Sequence, residues 1–186
     1  VDGSVKVGTT AATNTPVPSN TDVPTVTPSP TNTPTANSVK VSLDNVTGAA
    51  GSVVSVPVKL SNVPAKGIYN AAFLITYDIS KLSIENVKAG ELIVNASELT
   101  VNDNAAKGIL GMTFLASNGG STLIKSDGTF AIINVRINES ATGVYDLKND
   151  LAKSAIFDAS YKEIASQFVD GSVKVGTTAA TNTPVP

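Results

Sequence analysis

The stretch Gly67–Asp78, G-I-Y-N-A-A-F-L-I-T-Y-D, constrains the fold more than any other part of the chain. It reads as one long β-strand. Tyr69, Ala71, Phe73, Ile75 and Tyr77 alternate with Ile68, Asn70, Ala72, Leu74 and Thr76. Successive side chains of a strand point to opposite faces, so these sets define two separate surfaces. The bulky aromatic set is assigned to a core. The other set mixes an amide, a methyl, a leucine and a hydroxyl. It is too apolar for an ordinary solvent face and too polar for a core. Two readings of it stand side by side: a protein-binding surface and an ordinary exposed sheet face.

The same texture runs from Ser38 to Gly176. Val39, Val41 and Leu43 alternate with Lys40, Ser42 and Asp44, and Val54, Val56, Val58 and Leu60 alternate with Ser55, Pro57 and Lys59. Pro57 has no N–H to give a ladder, which predicts an edge or a bulge. Leu82, Ile84 and Val87 continue as strand, and Glu91–Asn102 holds one or two short strands. Ile109–Ala116 places Leu110, Met112 and Phe114 on one face. Thr129–Asn138 sets Phe130, Ile132, Asn134 and Arg136 against Ala131, Ile133, Val135 and Ile137. Asn118–Ser121 reads as a loop, and Leu147–Ile156 is open between a strand and a helical turn. Tyr161–Ser166 and Gln167–Val175 close the unit. Roughly nine strands, with turn signals about every ten residues, predict an all-β sandwich.

Composition removes several classes of function. Cys, His and Trp are absent, which excludes Cys/His zinc sites and Ser-His or Cys-His catalytic pairs. A formal net charge of -2 with 15% charged residues gives no electrostatic case for nucleic acid or an anionic membrane. No apolar run is long enough to span a bilayer. Asp44, Asp78, Asp127, Asp158 and Asp170 fall at expected turns or strand ends, not in a recognisable catalytic context. Asp103 and Asp158 read as turn residues rather than metal ligands, so neither metal nor cofactor is expected on this chain. Asn45-Val46-Thr47, Asn95-Ala96-Ser97 and Asn138-Glu139-Ser140 match an N-glycosylation pattern.

Val1–Pro18, V-D-G-S-V-K-V-G-T-T-A-A-T-N-T-P-V-P, is repeated at every position in Val169–Pro186. Self-similarity at a domain-sized period marks an array of globular units rather than a solenoid. On that reading Val1–Gly8 is the terminal strand of a preceding unit, and residues 9–37 are a linker. Residues 38–176 are one complete unit, and residues 177–186 open the next linker. The competing origin is a cloning artefact. The linker is built almost wholly of Thr, Pro, Asn, Ser, Ala and Val. Such a segment buries too little apolar surface to offset its ordering entropy, and its prolines favour extended polyproline II. Its composition also suits O-glycosylation outside the cell.

An ordered set of motifs makes Ser38–Gly176 resemble a cohesin module of a cellulosome scaffoldin. The set comprises the opening Val-x-Val strand with Gly48 and Gly51, V-S-V-P-V-K-L-S-N-V-P at Val54–Pro64, and the stretch Gly67–Asp78. L-x-I-x-x-V-x-A-G at Leu82–Gly90, S-D-G-T-F-A-I-I at Ser126–Ile133 and the closing V-D-G-S-V-K-V complete it. The short span between Phe114 and Phe130 favours the type I pattern. The resemblance implies a nine-stranded jelly-roll sandwich, extracellular or cell-surface, with no enzymatic activity. It also implies that the parent chain is a tandem array. The partner would be a dockerin, which carries its own calcium in loops resembling EF-hands.

In the family the binding face is built from the third, fifth, sixth and eighth strands. Carried over, it comprises Asn70, Ala72 and Leu74 on the third strand and Ile109, Gly111, Thr113 and Leu115 on the sixth, followed by Ser117. Ala159, Tyr161 and Glu163 map near the domain's end. Ala72 stands where the well-studied pattern has aspartate, and Ala116 and Ser117 stand where it has an acidic residue. The implied face is therefore less acidic and more apolar than that pattern. Ala72, Gly111, Thr113 and Ala159 would form a floor low enough for a helix. Leu74, Ile109, Leu115 and Tyr161 would supply apolar contact, with Tyr161 as the hot spot. The alternative function is a carbohydrate-binding module, since β-sandwiches with Thr/Pro linkers occur there too. Sugar platforms need exposed aromatic rings, and a chain without Trp has few to offer.

Overall fold

The computed structural model describes Asp2 and residues 38–117 and 121–176. The strand copy at 1–8 apart from Asp2, the linker at 9–37, the segment 177–186 and most of the loop at 118–121 lie outside the described residues. The chain divides into two units, Val1–Thr31 and Asn32–Pro186, and the fold described is that of the second.

Two β-sheets form a sandwich. Twelve strand segments are described: β1 (Val39–Leu43), β2 (Asn45–Gly48), β3 (Val53–Ser61), β4 (Asn70–Thr76), β5 (Leu82–Ala89), β6 (Leu99–Asn104), β7 (Ile109–Leu115), β8 (Gly128–Ile137), β9 (Gly143–Asn149), β10 (Ala155–Phe157), β11 (Ser166–Val169) and β12 (Gly171–Val175). One sheet runs β11-β1-β3-β8-β5. The other runs β2-β12-β9-β4-β7-β6, with β10 also on β4. β1 and β2 are one path broken at Asp44, where the chain passes from the first sheet to the second. β11 and β12 break in the same way at Asp170 and run parallel to that first path throughout. β9 and β10 lie along one side of β4, separated by a turn. The segments therefore trace nine strand paths.

The two crossings explain the glycine of the repeated V-D-G. A Cβ on Gly171 would lie 2.6 Å from the Leu43 Cβ and 2.8 Å from the Asp44 carbonyl oxygen. Two strands can change sheets side by side here only because one of them has no side chain.

The core lies between the sheets. Val39, Val41, Val56, Val58, Leu60, Phe73, Ile75, Leu110, Met112, Phe114, Ile133 and Val135 are all buried, as their alternation predicts. Phe73 meets Phe130 edge-on at 4.9 Å and Phe168 at 6.0 Å, and Phe114 meets Phe130 at 6.3 Å. Edge-to-face geometry of this kind adds about 0.5–1.5 kcal/mol per pair beyond burial.

Local deviations from the alternating pattern have physical causes. Phe130 and Ala131 are consecutive and both fully buried. Val58 pairs with Ala131 while Lys59 pairs with Thr129, so Phe130 is an extra, bulged residue whose ring turns inward. Pro57 lies in a central strand, not at a sheet edge. Its carbonyl accepts from the Asp44 N–H at 3.1 Å, where β1 is leaving the sheet. N–H and C=O of one residue point the same way in an antiparallel pair, so the missing donor faces a ladder that is ending anyway. The strand predicted over Gly67–Asp78 is shorter, beginning at Asn70. Ile68 is fully buried rather than outward, because it bridges to Ile124 ahead of the sheet.

Candidate protein-binding face

The seven-stranded sheet turns one side to the core, and its other side carries most of the predicted site. Directly paired residues share a face, so the registers fix the outer surface as a grid. Its first row is Phe157, Asn70 and Leu115. The second is Ala155, Ala72, Thr113 and Thr100. Leu74, Gly111 and Asn102 form the third. Lys148, Thr76, Ile109 and Asn104 form the fourth. Glu163, bridged to Phe157, extends the first row at its edge, and the centre of the grid at Ala72, Thr113, Leu74 and Gly111 is uncharged. The row centres are small residues, so backbone lies close to the surface at Ala72 and Gly111.

Two hollows mark the face. One, of about 260 Å³, is lined by Asn70, Leu115, Phe157 and Tyr161. The other, of about 180 Å³, is lined by Leu74, Asn102, Asn104, Ile109 and Gly111. Gly111 is the floor of the second. A Cβ added there would meet only the Asn102 carbonyl oxygen at 3.5 Å and the Asn102 Cβ at 3.9 Å. Beside the fourth row the Tyr77 hydroxyl donates to Asp103 Oδ1 at 2.9 Å. Burial, reinforced by this hydrogen bond, pushes the Tyr77 phenol up to about 12. Asp103 is thus a strand residue holding a tyrosine, not a turn residue.

Asn70, Ala72, Leu74, Ile109, Gly111, Thr113 and Leu115 come together on this grid as predicted. Glu163 joins the edge of its first row through an antiparallel bridge to Phe157. Ala159 does not join it, and its placement on an outward strand is corrected. The strand stops at Phe157, because Asp158 closes a turn immediately afterwards. Its Oδ1 accepts from the N–H of Ser160 at 2.9 Å and of Lys162 at 3.0 Å, and its carbonyl accepts from the Tyr161 N–H at 2.9 Å. Ala155 and Phe157 lie next to β4, where Ala159 was expected. They have the same parity in the sequence as Ala159, so the alternation is right and its position late. The polar run Asn149–Ser154 hid this short strand. It forms a turn in which Asp150 accepts from the Ala152 N–H at 3.2 Å. Thr100, Asn102 and Asn104 on β6 were also missed; their Thr-Val-Asn-Asp-Asn pattern carries no apolar alternation to reveal them.

Tyr161 reaches the corner of the grid from the turn. It is 72% exposed, has φ of 58°, and stacks edge-on against Tyr69 at 5.4 Å. A hydrogen bond with Tyr161, more than burial, raises the Tyr69 pKa. Asp158 beneath this turn is buried and receives Lys66 Nζ at 2.7 Å. That ammonium group, with the turn's amide donors, holds its carboxyl below the usual carboxylate range. A left-handed backbone under a large exposed ring persists only where the surroundings enforce it.

Ser117 lies past the end of β7 and is committed elsewhere. Its N–H and hydroxyl both donate to Glu98 Oε1, which also accepts from Thr122 Oγ1 at 2.7 Å. Glu98 is buried, and the Ser117 and Thr122 hydroxyls hold its pKa low. Three turn aspartates are likewise occupied. Asp78 caps Ser80, Asp127 accepts from the Val63 N–H, and Asp170 accepts from the Asn149 N–H. No cluster of three potential metal-ligating side chains occurs among the described residues. No helix among them is long and apolar enough to cross a membrane.

The chain belongs to the cohesin domain family, whose model matches residues 39–175. It is 32% identical over 151 residues to cellulosomal-scaffolding protein A of Acetivibrio thermocellus, covering 79% of this chain and 8% of that protein. It is 33% identical over 153 residues to cellulosomal-scaffolding protein B of Acetivibrio thermocellus, covering 80% and 19%. The chain thus spans a small part of these relatives. The third cohesin of ScaC from Acetivibrio cellulolyticus, solved with the ScaB dockerin in a type I interaction, is 35% identical. It superposes with a TM-score of 0.72, over 75% of this chain and 99% of that one. The Coh-OlpA–Doc918 complex of Clostridium thermocellum, a type I cohesin–dockerin pair, is 28% identical with a TM-score of 0.71, over 75% and 100%.

Proposed function

We propose that this module is a non-catalytic docking unit that binds a dockerin through the outer face of the β10-β4-β7-β6 layer. The observation that carries the reading is the grid itself. A flat, partly apolar surface with small, uncharged residues at its centre can receive a helix at close range. The fold and family likeness to chains solved with dockerins supports the same reading. Calcium would belong to the dockerin, whose helices form around it. The parent would be an extracellular or cell-surface scaffoldin that repeats such modules between Thr/Pro linkers. Among the described residues Tyr161 is the single strongly exposed aromatic ring, too little for the stacked platform of a carbohydrate-binding module.

Calorimetric titration with calcium-loaded dockerin tests this. Tight binding that disappears on chelation is expected. Retention of the module on cellulose, with no dockerin bound, would overturn it in favour of sugar binding.

A further inference from the structure

The chain carries its closing strand twice. Asp170–Val175, D-G-S-V-K-V, recurs as Asp2–Val7 and nowhere else in the sequence. The slot filled by the second copy has specific requirements. β12 lies between two strands, antiparallel to β9 with Gly171 on Leu147 and Val175 on Gly143, and parallel to β2 with Ser172 on Asn45 and Val175 on Gly48. Among the described residues β2 pairs with no other strand, so its place in the sheet depends on this slot being filled. Asp170 Oδ1 accepts from the Asn149 N–H at 2.9 Å and from its Nδ2 at 3.2 Å. Gly171 passes Leu43 and Asp44 where no side chain fits. Ser172 Oγ donates to Asn45 Oδ1 at 2.8 Å, Val173 is fully buried in the core, and Lys174 is exposed. Asp2, Gly3, Ser4, Val5 and Lys6 supply the same five groups in the same order. Ser38–Val41 repeats S-V-K-V, but Ala36 and Asn37 stand where the aspartate and glycine are needed.

We propose that this slot is a strand-acceptor site whose second ligand is the Asp2–Val7 segment of another copy of this chain. An added strand gains affinity from main-chain hydrogen bonds and specificity from its alternate side chains, and the two copies are identical in both respects. The balance between them is therefore set by chain connection and concentration. β12 follows β11 through Asp170 alone and closes its own slot at little entropic cost. The segment of a second molecule must be collected from solution. The intact chain keeps its own strand when dilute and exchanges it as copies are crowded together, which is strand swapping between identical protomers. Residues 8–38, between the donated segment and β1, would reach roughly 30 Å as a flexible chain and further where prolines extend them, enough for two folded units to stand side by side.

The test uses the full chain with its own closing strand spoiled. Val173→Asp puts a charge at the core position of β12 and leaves the first copy intact, whereas Val5→Asp combined with Val173→Asp spoils both. Thermal melts and sedimentation are followed over about a hundredfold range of chain concentration. For Val173→Asp the expected result is a dimer or larger species and a melting temperature that rises by about 3 °C for each tenfold increase in concentration. The double variant should lose both effects. Refolding the double variant with a free peptide of sequence V-D-G-S-V-K-V-G should raise its melting temperature, and the same peptide carrying Gly3→Val should not, because the crossing has no room for a side chain. Identical melts of the single and double variants at every concentration would overturn the proposal, as would equal rescue by the two peptides. A single variant more stable than the double one but insensitive to concentration would overturn exchange between copies.

Discussion

Phe73→Ala and Ala72→Arg, made separately, split stability from binding at two adjacent residues. Phe73 points into the sandwich, is 2% exposed and makes edge-on contacts with Phe130 and Phe168. Truncating such a ring costs about 3–5 kcal/mol through lost transfer energy and the cavity left behind. Losing two aromatic pairs puts this variant toward the upper end. Domains of this size have about 5–15 kcal/mol in all, so Phe73→Ala should bring a large drop in the urea midpoint followed by far-UV circular dichroism. Ala72 sits at the centre of the outer grid, between Ala155 and Thr113. An arginine there extends into solvent in the free module and should shift stability by no more than about 0.5 kcal/mol. In the complex it brings an unpaired charge into the middle of the interface. A cost of about 3 kcal/mol or more follows, which is an affinity loss of roughly two orders of magnitude. Titration against calcium-loaded dockerin reads the second effect and the melt reads the first. Normal binding by Ala72→Arg at an unchanged midpoint would refute the face assignment. Little change in the Phe73→Ala midpoint would refute the core assignment.

Asp158→Asn removes the charge that holds Lys66 and weakens the turn under Tyr161. It should lower dockerin affinity by about tenfold, less than Tyr161→Ala does, without changing the calcium requirement. Gly108→Ala should destabilise by about 1–3 kcal/mol in thermal melts. Gly108 has φ of 63°, and its Cβ would lie 2.3 Å from the Tyr77 carbonyl oxygen. Acid should unfold the module through Glu98, Asp158 and Asp78. They are held below their ordinary pKa by Ser117 and Thr122, by Lys66, and by Ser80, respectively. The folded state binds these protons more weakly than the unfolded chain. Their contribution is therefore complete above the unfolded values and is lost as pH falls through the lower folded ones, giving melts that are level down to about pH 5 and drop below about pH 4. Dockerin affinity should change by less than about threefold between 0.05 and 0.5 M salt, since the central rows carry no charge to screen.

How far the chain could be read in advance depended on side-chain parity. β4, β7 and most of β3 and β8 bury one side, so their apolar residues alternate, and the core and the outer face separated cleanly at Asn70–Thr76 and Ile109–Leu115. Parity fails where a residue is inserted, and the Phe130 bulge reverses one position of β8 with no local signal. It is also silent about where a strand stops. β10 has three residues, and its end is set by Asp158 binding amides two and four residues on, so the predicted contact at Ala159 belongs to Ala155 and Phe157, while Glu163 returns to the face by bridging to Phe157. β6 was illegible for another reason. It is an edge strand with both sides largely exposed, so little distinguishes Asn102, on the grid, from Asp103, behind it. Tyr161 was identified by its chemistry; that a left-handed turn raises it and Tyr69 backs it is visible only in three dimensions.

The most direct test of the central claim is amide chemical-shift mapping of the labelled chain with calcium-loaded dockerin, repeated after chelation. The account predicts shifts at Asn70, Ala72, Leu74, Gly111, Thr113, Leu115, Phe157 and Tyr161 that vanish with the calcium. The outer side of the other sheet, at Ser55, Asn86 and Asn134, should stay unchanged. Shifts confined to that opposite sheet, or a full response that survives chelation, would contradict it.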